Sequence, residues 1–164
     1  MKEPSRLTEI GVVIDFGIFK LDTKWTPDPR QKDAAWALYV ELITRVATQE
    51  LDLEVGHLRE ALDSLHALFP VTREILRKEG AVVGMGPTTV GGIAVRVLNF
   101  GIRPFLTRWH PRLSDWESRR DAKESVRAHE RAWPDDMQCR GELAKMQRGL
   151  WTYADTLGKI AGAA

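Results

Sequence analysis

Arg103 and His110 lie at i, i+7 spacing within the stretch RPFLTRWHPRLSDWE (Arg103 to Glu117). On a continuous helix the two side chains point the same way, two turns apart. A guanidinium binds anions and an imidazole moves protons, so together they are the chain's first candidate for chemistry. The same spacing recurs at Arg59 and His66. The other candidates are weaker. His57, His66, His110 and His129 are scattered without a His-x-x-x-His pair, so no metal site is expected. His129–Glu130 starts like a zinc-protease helix, but no second histidine follows, and it reads as a solvated pair. GMGPTTVGG opens a helix yet lacks the Lys-Ser or Lys-Thr of a nucleotide loop, and it reads as a glycine-rich turn. The lone Cys139 reads as a bystander thiol. No cofactor is expected.

The elements that must position these residues follow from periodicity. In EIGVVIDFGIFKL, Ile10, Val12, Ile14, Phe16 and Ile18 share one face with period two, which predicts a strand. Gly17 marks a turn or bulge, and AVVGM (Ala81 to Met85) is the other candidate strand; the pairing stays open. Asp28 and Pro29 cap and start a helix with Trp36, Val40, Ile43 and Ala47 on its inner stripe, fading near Gln49 to Asp52. A second helix runs from about Val55 to Phe69, is kinked or broken by Pro70, and extends two turns to Gly80. A third begins near Thr88, is bent by Pro104 and ended by Pro111. On that reading Trp109 packs against the bundle end and His110 caps the helix C-terminus. Residues 112–133 form a polar excursion, loop or short exposed helix. The last helix starts at WPDD, with Leu143, Met146, Leu150, Tyr153, Leu157 and Ile160 on one seam.

These elements sum to a mainly α fold: a four-helix bundle with a small N-terminal β element, strand or hairpin. One domain is expected over residues 1–164, with strand and leading loop at 1–27 and two helices at 28–80. A turn and third helix follow at 81–112, the polar excursion at 113–133 and the last helix at 134–164. A hydrophobic content of 43% with 29% charged residues is that of a soluble globular protein. The balance of 24 basic against 23 acidic residues argues for neither a nucleic-acid nor a membrane partner. A single cysteine and an N-terminus without a signal-peptide core point to the cytoplasm. Six tryptophans must fill a core or anchor an interface.

Arg and His on one helix face resemble the pair of HEPN-type ribonucleases, four-helix domains with Arg, four to six residues, then His. That resemblance implies a metal-independent endoribonuclease in which Arg103 and His110 contact RNA phosphate and drive 2′-hydroxyl attack. The chain departs from the pattern at Pro104, where that family prefers a small polar residue. Over most of its length the chain also resembles a group of small bacterial helical proteins. The blocks AAWALYVELITRVATQ, LREALDSLHALFPVTREILR, VLNFGIRPFLTRWHPRL and WTYADTLGKIAG carry this second resemblance. It implies an accessory or effector-linked module of antiphage or other conflict loci and supplies no reaction. The leading expectation is a non-enzymatic module that binds protein, itself or a partner encoded nearby. Its expected anchors are Trp109, Trp116, Trp133 and the strand residues Ile14 and Phe16. The ribonuclease using Arg103 and His110 is the alternative, with RNA as partner only there.

Overall fold

The computed structural model describes residues 9–17, 19–25 and 28–163. Strand β1 (Ile10–Asp15) pairs antiparallel with β2 (Lys20–Trp25), from Ile10 opposite Trp25 to Asp15 opposite Lys20. Gly17 makes the turn at φ +85°, and its N–H donates to the Asp15 carboxylate at 2.8 Å. Period two holds as predicted: Val12, Ile14 and Phe16 are buried, and Leu21 and Trp25 join them from β2. Ile18 lies outside the described residues. AVVGM is not the partner strand, because Gly80–Val83 forms a 3-10 turn closing the second helix. The adjacent segment wins because a short hairpin costs far less loop-closure entropy than a distant pairing.

Asp28 caps as predicted, accepting the Arg30 N–H at 2.9 Å, and a 3-10 turn at Pro29–Gln31 leads into α1 (Lys32–Ile43). The Arg30 side chain, and then its amide, hold the Asp28 carboxyl below the usual carboxylate range. The inner face of α1 is Ala34, Ala35, Leu38 and Leu42 rather than the predicted stripe, and Trp36 is turned outward. Two alanines let α1 lie close against the last helix, and a tryptophan there would hold them apart. The helix ends at Ile43, before the predicted fade, and Ala47 is buried from a separate 3-10 turn, Val46–Thr48.

Helix α2 (Leu58–Glu79) runs unbroken through Pro70, which sits on its exposed side. Helix α3 (Val90–Arg96) is capped by Thr89, whose hydroxyl accepts the Gly92 N–H at 3.1 Å. A π-helical segment, Val97–Ile102, joins it to α4 (Arg103–Ser118). The wide turn falls where Pro104 would otherwise press on the carbonyl four residues back. Pro111 does not end α4; the helix passes through it to Ser118, so His110 lies in mid-helix and is no C-terminal cap. The polar excursion is therefore largely structured: Leu113 is fully buried, and α5 (Val126–Arg131) packs beside α4.

Helix α6 (Asp136–Ala161) carries the predicted seam, with Leu143, Met146, Leu150, Tyr153, Leu157 and Ile160 all buried. It packs against both α1 and β1. Gly149 lets the hairpin approach, since a Cβ there would lie 2.7 Å from the Asp15 carbonyl oxygen and 2.7 Å from the Phe16 ring. Trp25 stacks on Tyr153 with ring centroids 6.4 Å apart. The fold is mainly α with a two-stranded N-terminal hairpin. Among the described residues no helix is long and apolar enough to cross a membrane.

Candidate functional site

Helices α2 and α4 run antiparallel along a groove, because Asp63 and His66 meet His110 while Phe69 meets Arg103. The groove holds about 500 Å³ of open space and is lined by His66, Phe69, Arg73, Arg103, Thr107 and His110, among others. Arg103 and His110 therefore face one solvent-open groove, as their spacing predicts for an unbroken helix. The Arg103 guanidinium lies 4.8 Å from the centre of the Phe69 ring and donates to the Asn99 side-chain oxygen at 3.2 and 3.3 Å. The His110 Nε2 is 3.4 Å from the Asp63 carboxylate. His66 comes from the second Arg-x6-His pair, and its ring centroid is 6.0 Å from that of His110.

Arg59 behaves differently from Arg103 despite the matched spacing. It is bound by Glu117 at 2.7 and 3.0 Å, by Asp63 at 3.3 Å and by Ser114 at 3.1 Å. The hydrogen bond to Glu117 is the main reason its pKa is pushed further up. So one arginine of the two pairs is a structural strut, and the other carries no carboxylate within ion-pair distance among the described residues.

The expected partner anchors lie elsewhere. Ile14, Phe16, Trp109 and Trp133 are at most 6% exposed, so they hold the core together and offer a partner no surface. Trp109 donates from its indole N–H to Glu142 at 2.7 Å and meets Trp133 edge-on at 5.8 Å. Arg108 and Arg112 cover its face at 4.8 and 5.6 Å. Trp116 is half-buried, stacked on His129. The exposed tryptophans are instead Trp36 and Trp151, at 50% and 55%. Trp36 lies 5.7 Å from Tyr39, and Tyr39 and Trp151 line one hollow of about 340 Å³ between α1 and α6. Period 3.6 finds this face only if the alanines are taken as the contact with α6.

His129–Glu130 is not a solvated pair; both residues are buried. Glu130 accepts the Leu58 N–H at 3.0 Å, which caps α2 from a distant segment, and accepts Arg140 at 2.7 Å. Arg140 also binds Asp136 at 2.9 Å and the Gly56 carbonyl at 3.2 Å. Arg140 thus ties two carboxylates and a carbonyl together, with its Nη1 left without a hydrogen-bond partner among the described residues, and the cluster is a joint of the fold. Burial, followed by the Glu142 and Asp136 carboxylates, pushes the Cys139 thiol up to about 12, which makes it a poor nucleophile at neutral pH. No family model matches this chain, and no curated protein or solved structure matches it significantly.

Proposed function

We propose that the chain is a non-enzymatic helical protein-interaction module, a cytoplasmic accessory or effector-linked component of a bacterial conflict system. The observation that supports binding is the exposed aromatic face of α1 and α6, formed by Trp36, Tyr39 and Trp151. Exposed aromatic side chains grouped on one face, here linked through Tyr39, are costly to leave wet and are the kind that anchor interfaces. The conflict-system setting rests on the sequence blocks named above. A second copy of the chain is the first partner to test, since one self-complementary patch suffices for a two-fold dimer. Light scattering over a concentration series measures this. Self-association that is lost in the Trp36→Ala/Trp151→Ala double variant supports the reading. A monomer throughout, which also retains no product of a neighbouring gene, removes it.

A metal-independent ribonuclease is the second reading, favoured by the shared groove of Arg103 and His110. There Arg103 would bind the phosphate while His110 assists attack of the 2′-hydroxyl on phosphorus, leaving a 2′,3′-cyclic phosphate and a 5′-hydroxyl. RNA shortened in the presence of a chelator, with loss in a folded His110→Ala variant, supports it. RNA that stays intact at high protein concentration overturns it.

A further inference from the structure

We infer that the groove between α2 and α4 is a two-walled site for a phosphodiester strand, with His66 and Arg73 of α2 as its second wall. The inference rests on the groove of the ribonuclease reading and extends it beyond the Arg103–His110 pair. Each wall offers one imidazole and one guanidinium at i, i+7, His66 with Arg73 and Arg103 with His110. Because the helices are antiparallel, the imidazoles gather at one end and the guanidiniums at the other. Seven residues of helix rise about 10 Å, so the guanidinium end and the imidazole end lie about that far apart along the groove, which suits a chain of phosphates better than a single ion.

Charge and hydrogen bonding both favour this occupant. Among the described residues neither Arg73 nor Arg103 has a carboxylate within ion-pair distance, and the groove's nearest carboxylate, Asp63, is shared between Arg59 and His110. Two guanidiniums facing one open groove without a counter-charge attract an anion. Pro70 and Pro111 also line the groove, and each lacks the amide that would bond the carbonyl four residues earlier. Those carbonyls belong to His66 and Thr107, one on each wall. They leave acceptors for the N–H and O–H groups that a nucleotide strand carries beside its phosphates. A purely cationic patch would lack them.

The test uses the full chain and a short thymidine oligodeoxynucleotide, which has no 2′-hydroxyl and cannot be cleaved by internal attack. Imidazole resonances are followed by NMR during titration, with inorganic phosphate as a parallel probe. Saturable shifts of His66 and His110, sparing His57 and His129, are expected with the oligonucleotide, and much weaker ones with phosphate. Arg73→Ala and His66→Gln lie on an exposed surface and leave the fold intact, and each is expected to weaken binding by about tenfold, near 1.4 kcal/mol. Unchanged affinity in both variants, no shift in either imidazole, or equal response to phosphate overturns the inference. Binding and cleavage fail separately. RNA cleavage insensitive to the α2 variants overturns the second wall and leaves the ribonuclease reading standing. Oligonucleotide binding that needs α2, with RNA left intact, does the reverse.

Discussion

Trp116 and His129 stack with ring centroids 4.7 Å apart and bond each other's backbone in both directions. The Trp116 indole N–H donates to the His129 carbonyl at 2.7 Å, and the Trp116 carbonyl lies 2.6 Å from His129 Nε2. A carbonyl can only accept, so Nε2 carries a proton, and Nδ1 meets the Glu124 carboxylate at 2.9 Å. This pair fastens α5 to α4 and turns an apparently solvated stretch into a docked corner.

Trp116→Phe keeps a ring against His129 and removes one donor to a buried carbonyl. The expected loss is about 1 kcal/mol. Hydrogen exchange checks where it falls: amides of Val126–Arg131 should exchange faster while those of α6 keep their protection.

Glu130 joins α2, α5 and α6 through the Leu58 N–H and Arg140. Glu130→Ala leaves a buried amide and part of a guanidinium without an acceptor, and it should cost about 3 kcal/mol in urea denaturation. Glu130→Gln keeps one acceptor oxygen and should cost less. Equal losses in the two variants would show that the charge, and not the capping oxygen, matters.

Two glycines of α6 should respond with opposite sign. Gly149→Ala drives a Cβ into the Asp15 carbonyl and the Phe16 ring, and overpacking of this kind costs about 1–3 kcal/mol. Gly141→Ala meets nothing within 4 Å, so helix propensity alone should stabilise the chain by about 0.5–1 kcal/mol. Thermal denaturation of the two variants against the parent checks both signs.

Alkaline pH should weaken the fold through Cys139 and Tyr153. Burial pushes the thiol from 9.0 up to about 12 and raises the Tyr153 hydroxyl as well. The unfolded chain therefore loses these protons first and binds fewer than the native state, so stability falls as pH rises. For the thiol the window runs from about 9 to about 12, and its full depth is on the order of 4 kcal/mol. Urea midpoints should drop across that window, and Cys139→Ala should flatten the slope. At neutral pH the native thiol should resist alkylating reagents that label the unfolded chain.

Local pattern was enough to place the four main helical stretches, β1 and the α6 seam, because a 3.6 or 2.0 period records which side of an element is buried, but it left α5 open between loop and helix. It also put Arg103 and His110 on one face, since that needs only an unbroken helix between them. The prolines misled: Pro70 and Pro111 each delete one hydrogen bond, and packing on both sides supplies enough to carry α2 and α4 through them. The inward face of α1 depended on Ala34 and Ala35 accepting α6, a contact between segments far apart in sequence. So did the fate of the tryptophans: Trp109 went inside and Trp36 outside, although an indole suits either place. His66 and Arg73 belong to another helix than Arg103 and His110, and no spacing relates them. Periodicity fixes the face of an element where one side is plainly apolar, as on β1 and α6. Only tertiary packing decides which stripe of α1 turns inward and which faces meet, because burial energy depends on shape across the contact rather than on order along the chain.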